Sequence, residues 1–518
     1  MAAGDLIIAA DFGTSGVKIG AVGPELQLLG STIEPYPLHL PGPSMAEQAP
    51  EDWWSALSRG LSRLALDIPD LRDRAGAIVF CAQMAGLVCA DARGTALRPA
   101  LVWLDKRSAP LMQKVLGGWP RISGYGVGNL LRWLPVANGV PSHNGMDPTG
   151  KMLWVQKHEP DIYKRADHLW DVKDWLLHRA TGEVATTADS ANLTWLMDTR
   201  RGREGWSSTL ARHVGIDLEK LPNIVGGDAV VGGLTAPAAA QLGLKEGIPV
   251  VGGGGDVSCT AIGSGAVADG ALHITMSTSS WVAGFFDRRV LSLSNSYATI
   301  TSSVGFRPLL IATQESAGAA LGWLAEGFDP RQKDAPEGLE EFYADLGEAQ
   351  ADDPFFLPWL AGERVPVDEE RLRGAFYGLA LRHNLQSVKR SVIEGVAMNT
   401  RWAFERVAAQ RDAKSDGSIP LVGGAAANPH LAQALADTLN RQILVGDTRM
   451  SGVLGAAAMA APTMGWSRTV WEAAKQIGGR DGPVYDPDPG RVRMVNDRYQ
   501  RLDRIRKAMV KTYQKTGV

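Results

Sequence analysis

The segment DFGTSG is the first place in the chain where residue types and spacing could support chemistry. Asp11 opens it, and Gly13, Thr14 and Ser15 form the turn that follows. Glycines let backbone N–H groups approach an anion closely, and hydroxyls add donors, so the turn suits phosphate oxygens. Asp11 could hold Mg²⁺ through water, because Mg²⁺ prefers oxygen ligands and keeps its hydration. A tight hairpin turn without a ligand is the alternative.

A second hydroxyl-rich turn, STSS at residues 277–280, lies in the second half of the chain. Thr278 and Ser279 are its candidate donors to phosphate oxygens. One such turn alone is usually only a turn, but two of them with an acid between them favour a phosphate-binding function.

The acid between the two turns is Asp256, which ends the run VVGGGGD. A buried strand, a bare backbone and then a helix start would place this carboxylate at a cleft floor with nothing bulky around it. There it could accept the proton of a substrate hydroxyl as that oxygen attacks a phosphoryl group. The alternative is an aspartate that caps the following helix.

Alternating and helical patterns predict the elements that position these residues. Residues 6–22 predict two strands folded around the first turn, and residues 270–284 predict a second such pair. Helical spacing predicts helices over 51–66, 151–159, 315–326, 385–411 and 429–440. A change in composition before the four glycines predicts two domains, 1–252 and 253–518.

Composition limits the function classes. The chain has 518 residues, 45% of them apolar and 21% charged, with a formal net charge of −3. This balance argues against nucleic acid or a membrane as a partner. The three cysteines are too few for a disulfide framework, so we expect a cytoplasmic protein. GMDPTGKM at 145–152 nearly matches a P-loop, but Met152 replaces the hydroxyl residue that binds Mg²⁺, so we reject a P-loop.

Several longer segments together point to a family. The segments are IIAADFGTSGVKIGAV, AEQAPEDWW, QMAG with LRPALVWLDKRS, MDPTGKMLWVQKH, FFLPWLAGERVP, GAFYGLALRHNLQSVKRSVIE and VGGAAANPHLAQALAD. With these segments the chain resembles the FGGY carbohydrate kinases, and most closely their xylulokinase-like branch. The similarity extends over nearly the whole length.

The resemblance implies an α/β fold of two actin/hexokinase-like (ribonuclease H-like) domains with a nucleotide cleft between them. The N-terminal domain would bind the sugar and the C-terminal domain the nucleotide. The implied activity is phosphorylation of a small sugar or polyol, with ATP and Mg²⁺ as cofactors and a homodimer as one possible assembly.

The resemblance also implies a role for individual residues. Asp256 would be the general base, and the two turns would bind phosphates. The nucleotide would contact Gly423, Gly424, Asn428 and Trp323, and the sugar would lie near Met84, Ala85, Trp103 and Asp105.

Three departures from the xylulokinase-like pattern concern the substrate. Ala85, Leu104 and Val257 stand where that pattern has His, Asn and Asn. Because each change removes a polar side chain, we expect a substrate other than D-xylulose, such as another pentulose, a tetritol, a pentitol or glycerol. Ser277 and Ser280 also replace glycines in the second turn, so a catalytically silent nucleotide or sugar sensor is an alternative. Retention of Asp256 argues against the sensor, and an actin-type structural protein would leave the sugar-side segments without a purpose.

Overall fold

The computed structural model describes residues 4–292, 294–328, 338–410, 412–414, 417–446, 449–478 and 482–516. The chain divides into two compact units. Unit 1 comprises Met1–Gly265, Thr299–Leu309 and Gly452–Ile477, and unit 2 comprises Ala266–Ala298, Leu310–Ser451 and Gly478–Val518.

The structural division lies later in the chain than the domain boundary expected after residue 252. That position falls inside the strand Pro249–Gly255, which pairs with the strand Ala75–Ala82. The glycine strand and the helix that follows it therefore belong to unit 1, which ends its first segment at Gly265.

A six-stranded sheet forms the centre of unit 1. Its strands are β1 (Leu6–Phe12), β2 (Gly16–Val22), β3 (Leu28–Pro35), β4 (Ala75–Ala82), β5 (Val230–Gly233) and β6 (Pro249–Gly255), in the order β5-β6-β4-β1-β2-β3. β1 and β2 form the predicted antiparallel hairpin, whereas β1, β4 and β6 run parallel. The carboxyl ends of these parallel strands meet at one edge of the sheet, which brings Asp11 and Asp256 to the same edge.

Helices pack on this sheet because β1 is apolar on both of its faces, as expected for a strand covered on both sides. The helix Pro50–Asp67 buries Trp53, Trp54, Leu57 and Leu61 in the same core cluster as β1. The helix Val172–Thr181 begins in a capping box formed by Asp171 and Asp174, and Gly182, in the left-handed conformation, follows its last residue.

The second large sheet has eight strands. They are β7 (Leu272–Met276), β8 (Ser280–Phe285), β9 (Leu291–Ser292), β10 (Tyr297–Thr301), β11 (Pro308–Gln314), β12 (Ile419–Val422), β13 (Ile443–Val445) and β14 (Val484–Tyr485), in the order β9-β10-β11-β8-β7-β12-β13-β14. β7 and β8 form the second predicted hairpin, and β7 runs parallel to β12.

The remaining strands are short pairs, at Glu47–Gln48, Val88–Ala90, Ala100–Leu101, Arg121–Ile122, Tyr125–Gly126, His168–Trp170, Ala185–Thr187, Met197–Asp198, Gly205–Trp206, Asn223–Val225, Phe355–Leu357 and Ala375–Tyr377. The other helices are Leu71–Arg74, Ala109–Val115, Val127–Ala137, Pro148–His158, Pro160–Arg165, Ala188–Leu193, Ser208–Val214, Ala236–Leu242, Asp256–Gly263, Gly318–Phe328, Gly338–Ala344, Leu385–Ala408, Pro429–Leu439, Ser451–Ala460, Val470–Gly478 and Pro489–Thr516.

The five predicted helices are all present, with ends that differ by a few residues. The helix expected over 315–326 begins at Gly318, and the helix expected over 385–411 ends at Ala408. Residue 411 lies outside the described residues. No helix among the described residues is both long enough and apolar enough to span a membrane.

Candidate active site

Asp11 is the second-last residue of β1, and other residues of unit 1 pack closely around its carboxylate. The thiol of Cys81 donates to its Oδ1 at 3.1 Å, and the Lys18 ammonium lies 4.0 Å from its Oδ2. A Cβ atom on Gly452 would lie 2.6 Å from Oδ2, so only glycine lets that backbone approach. The side chain of Asp11 keeps 14% of its surface exposed. Asp11 is therefore an accessible carboxylate that packing holds in place.

The first hairpin turn is anchored by side chains from elsewhere in unit 1. Trp103 Nε1 donates to Thr14 Oγ1 at 2.9 Å, and Gln48 Nε2 donates to the Thr14 carbonyl at 2.7 Å. Tyr36 donates its hydroxyl to the Gly13 carbonyl at 2.5 Å. These bonds fix the turn, while Ser15 at its tip stays exposed.

Two of these anchors were not predicted as site residues. Gln48 lies inside AEQAPEDWW, a segment that the sequence comparison had already singled out, so its position was a usable signal. Tyr36 carries no local signal, because its contact with the turn depends on β3 pairing beside β2.

Asp256 is the first residue of the helix Asp256–Gly263, directly after β6. Gly255, not Asp256, occupies the N-cap position, and the Asp256 Oδ1 accepts a hydrogen bond from the Val257 N–H at 2.9 Å. The capping alternative therefore does not describe this residue. Asp256 is half-buried, and its second oxygen, Oδ2, accepts no hydrogen bond from the described residues.

The surroundings of Asp256 change the pKa of its carboxyl group. Burial raises the pKa of its carboxyl group, the negative charge of Asp11 raises it further, and the pKa reaches about 7. The negative charges of Asp171 and Asp189 also raise this pKa, whereas the hydrogen bond from the Val257 N–H lowers it. A general base works best when its pKa lies near the working pH, so this shift suits proton abstraction.

The four glycines before Asp256 are needed for a further reason besides the one expected. All four are buried, and each is approached by other atoms of unit 1. A Cβ on Gly252 would lie 2.6 Å from the Gly226 carbonyl, and one on Gly255 would overlap the Met84 side chain. Gly253 has a φ of +66°, at an irregularity in the pairing of β6 with β4. We expected the glycines to leave space around the Asp256 carboxylate, and the structure adds a second reason for them, because the backbone of the segment itself is closely packed.

Asp189 supports the start of the Asp256 helix and was not predicted. Its Oδ2 accepts a hydrogen bond from the Gly255 N–H at 2.7 Å, and its Oδ1 accepts one from the Thr187 hydroxyl at 2.5 Å. Asp189 is fully buried. Because this contact joins residues far apart in sequence, no local pattern indicates it.

The predicted sugar-side residues have unequal roles. Met84 packs on Gly255, next to Asp256. Ala85 has a φ of +62°, and its carbonyl accepts a hydrogen bond from the buried Lys151 at 2.7 Å. The P-loop-like Lys151 thus holds the 84–86 segment, which agrees with the rejection of a P-loop.

Asp105 is committed to structural contacts. Its carboxylate is fully buried and accepts hydrogen bonds from the Ala46 N–H at 2.8 Å and from Arg107 Nε at 2.9 Å. Leu104 packs against the main core of unit 1. Of the four predicted sugar-side residues, the structure places Met84 beside the acid and Trp103 on the first hairpin.

The second hairpin turn, in unit 2, is closed mainly by backbone groups. The Ser277 N–H donates to the Ser279 carbonyl at 2.8 Å, and the Gly318 N–H donates to the Ser277 carbonyl at 2.8 Å. The Thr278 carbonyl accepts from the Ala317 and Ala319 N–H groups at 3.0 and 3.1 Å. Thr278 itself is exposed.

The predicted nucleotide residues lie on the turn after β12. Gly423 has a φ of +99°, and a Cβ there would overlap the carbonyl of Met276, just before the second hairpin turn. Gly424 is exposed, and a Cβ there would meet no atom within 4 Å. The Asn428 oxygen caps the next helix by accepting from the His430 and Leu431 N–H groups. The glycine turn and the second hairpin are therefore neighbours in unit 2.

Trp323 lies on the helix Gly318–Phe328, whose first residue contacts the second hairpin. Its side chain is 47% exposed and stacks on Phe356, with ring centroids 6.1 Å apart. An exposed and partly supported indole is suited to stacking on a planar ring.

Both hairpins have features that fit a nucleotide with Mg²⁺. Gly424 has open space beside its Cα atom, which lets a ligand approach the backbone closely at that residue. The part of the chain that the structure describes has no cluster of three or more metal-ligating side chains. A single accessible carboxylate, Asp11, fits Mg²⁺, which keeps several waters and uses few protein ligands.

Comparison with known proteins gives matches over most of the chain. Residues 6–263 match the model of the FGGY family of carbohydrate kinases, N-terminal domain, and residues 298–464 match that of the C-terminal domain. A xylulose kinase of Staphylococcus epidermidis is 29% identical over 93% of each chain. A xylulose kinase of Escherichia coli K12 is 30% identical over 88% of this chain and 89% of its own.

A solved structure described as ligand-bound xylulose kinase from Lactobacillus acidophilus has the same fold. Its TM-score is 0.85 at 23% identity, over 98% of this chain and 99% of that one. At this level of identity the likeness supports the fold alone.

Proposed function

This chain belongs to the FGGY family of carbohydrate kinases, and from that premise we propose that it phosphorylates a hydroxyl of a pentulose-like sugar with Asp256 as the general base. The family resemblance of the motifs and the two-domain α/β fold are confirmed. ATP-dependent sugar phosphorylation is accordingly favoured over a catalytically silent sensor.

The observation that carries the role of Asp256 is its position and environment. It follows β6 at the edge where the parallel strands of unit 1 end, close enough to Asp11 for the two charges to interact. With a pKa of about 7, its carboxylate can take the proton of an attacking hydroxyl and is regenerated by solvent afterwards.

The two hairpins have complementary roles in this proposal. Unit 2 would contribute the nucleotide side, through the Thr278 and Ser279 hydroxyls, the turn at Gly423 and Gly424, and the Trp323 indole. Unit 1 would contribute the sugar side and the backbone N–H groups of its own turn. When bound, ATP supplies the phosphoryl group, and Mg²⁺ neutralises part of its charge.

Asp11 would hold the water shell of Mg²⁺ rather than the ion itself. Its carboxylate is accessible and already accepts one hydrogen bond from Cys81, so water is the natural bridge. Lys18, 4.0 Å from Asp11, would add positive charge beside the phosphates.

The relatives indicate the class of substrate, and three positions of this chain narrow the range of candidate substrates. The relatives described as xylulose kinases support a pentulose. Ala85, Leu104 and Val257 have no polar side-chain atoms, so they cannot bond the hydroxyls that His and Asn would bond. A buried hydroxyl without a partner costs about 1–3 kcal/mol, so we propose a pentulose other than D-xylulose, with a tetritol or pentitol as second candidate.

The cellular setting remains a prediction. The three cysteines, Cys81, Cys89 and Cys259, are buried and unpaired, which is compatible with a reducing cytoplasm. A homodimer is also a prediction, which light scattering of the purified chain would test.

The experiment is ADP release measured over a panel of ketopentoses, pentitols, tetritols and glycerol. We expect one ketopentose to give the highest kcat/KM. Turnover confined to a tetritol or pentitol would support the second candidate. Binding of ATP without turnover of any compound in the panel would contradict the proposed kinase function.

A further inference from the structure

Glu363 is a buried acid of unit 2 that lies outside both hairpin turns. It belongs to the segment FFLPWLAGERVP, and the residue is only 2% exposed. Burying a carboxylate is costly unless hydrogen bonds or an opposite charge compensate it. The groups that compensate Glu363 therefore indicate which part of the protein its charge holds in place.

The described residues give Glu363 three hydrogen-bond donors, all of them neutral N–H groups. Its Oε1 accepts from the backbone N–H groups of Glu315 and Arg364, at 3.1 and 2.9 Å. Its Oε2 accepts from the side-chain amide of Asn399 at 2.6 Å. Burial raises the pKa of Glu363 to about 7, against these hydrogen bonds, which lower it. At a pH above that value the carboxylate can accept all three bonds.

The donor Glu315 begins the segment that closes the second hairpin turn. Residues 315–319 follow β11, and the backbone N–H groups at 317–319 donate to carbonyls of the turn at distances between 2.8 and 3.1 Å. The Arg364 guanidinium also pairs with the Glu315 carboxylate at 2.7 Å. Glu363 and its neighbour thus hold the start of the segment on which the turn rests.

Asn399 connects Glu363 to the other end of the turn. Its backbone carbonyl accepts from the Gln314 amide at 2.8 Å, and Gln314 Oε1 accepts from the Ser280 hydroxyl at 3.4 Å. The Asn399 side-chain oxygen accepts from Trp359 Nε1 at 3.3 Å, which orients the amide nitrogen toward Glu363. The hydrogen-bond network of Glu363 therefore reaches the second hairpin turn at two points.

We propose that Glu363 is a positioning residue for nucleotide binding, which holds residues 315–319 against the second hairpin turn. This inference rests on the proposed nucleotide role of that turn. Glu363 acts through the backbone and needs no contact with ATP. Its loss should therefore weaken ATP binding and leave the rate of the saturated enzyme unchanged.

A double-mutant cycle between Glu363 and Asn399 tests the proposal. Glu363→Gln places two amide donors opposite each other, and Asn399→Asp places two carboxylates opposite each other. In the double variant, a carboxylate at position 399 can accept from an amide at position 363 and from Trp359 Nε1. The donor and the acceptor are then exchanged, and the bond is restored.

ATP affinity is measured by isothermal titration calorimetry at pH 8, on the full chain. The second measurement is kcat at saturating ATP, and the third is hydrogen exchange of the amides at 317–319 without nucleotide. Glu394→Gln is the matched control, because Glu394 is also a buried acid of unit 2 but bonds Arg498 instead. Thermal unfolding monitors folding, and Asn399→Asp with the double variant keeps the test valid if Glu363→Gln does not fold.

We expect each single change to weaken ATP binding roughly tenfold and the double variant to bind within about twofold of wild type. Exchange at 317–319 should rise in the single variants and recover in the double variant, with kcat unchanged throughout. The Glu394→Gln variant should bind ATP as wild type does.

Two results would overturn the proposal: single variants that bind ATP as tightly as wild type, or a double variant that binds no better than the single ones. The kinase function fails separately, if wild type binds ATP but phosphorylates no compound of the panel, and the affinities then still decide the role of Glu363. If wild type bound no ATP, the nucleotide role of the turn would fail, while exchange at 317–319 would still show whether Glu363 holds it.

Discussion

The two hairpin turns are similar in sequence but are built by different means. In unit 1 the turn is held by side chains from distant segments, through Trp103, Gln48 and Tyr36. In unit 2 the turn is held by backbone bonds, and the exposed hydroxyl of Thr278 is not one of its anchors. A turn anchored by side chains can be placed accurately beside an acid, whereas the turn closed on its own backbone leaves the Thr278 hydroxyl exposed to a ligand.

The two regions also differ in the acidic residues near their turns. Unit 1 gathers Asp11, Asp189 and Asp256 near its turn, and their charges interact. The turn in unit 2 is bordered by Gly318 and Gly423, which contribute no charge. This difference supports our proposal that unit 1 contributes the general base and unit 2 the nucleotide-binding residues.

The largest effect is expected from Asp256→Asn, which removes the proposed base at nearly constant size. We expect kcat to fall by roughly 10²–10⁴-fold with a small change in the KM for ATP. Asp67→Asn, at an exposed position of unit 1, is the matched control and should leave kcat unchanged. An Asp256→Asn enzyme with a rate close to wild type would refute the separation of roles between the units.

The next effect is the dependence of the rate on pH. Asp256 must be deprotonated to act, and its pKa is raised to about 7, so kcat/KM should rise with pH and level off above that value. Below the pKa the rate should fall about tenfold per pH unit. A profile that stays flat from pH 8 down to about 5 would mean that no group with this pKa limits the reaction.

A smaller effect is expected from Thr278→Val in the second hairpin. Loss of one hydrogen bond to a phosphate oxygen should raise the KM for ATP about tenfold with little change in kcat. Thr278→Ser keeps the hydroxyl and should behave as wild type. A fall in kcat at constant KM would place Thr278 with the chemistry instead, and would erase the contrast between the hairpins.

Local patterns were sufficient to predict both hairpins and the helix that starts at Asp256. Each depends on residues close together in sequence: alternating apolar strands, a hydroxyl-rich turn, and a strand end followed by a helix.

The contacts that tune the site could not be predicted in this way. Asp189 holds the Gly255 N–H, and Gly452 leaves room beside Asp11, across long stretches of chain. The run of four glycines was recognised in the sequence, but the packing that requires glycine there was not. The Met84 side chain and the Gly226 carbonyl, which leave no room for a Cβ atom, come from other parts of the chain. Packing of this kind is a property of the tertiary structure, which a single sequence does not display.

The discontinuity of unit 1 has a consequence for synthesis on the ribosome. Its last segment, Gly452–Ile477, includes the glycine that borders Asp11, and two of the three segments of unit 2 precede it in translation order. The nascent N-terminal segment therefore lacks the backbone that packs beside Asp11 until most of the polypeptide has emerged.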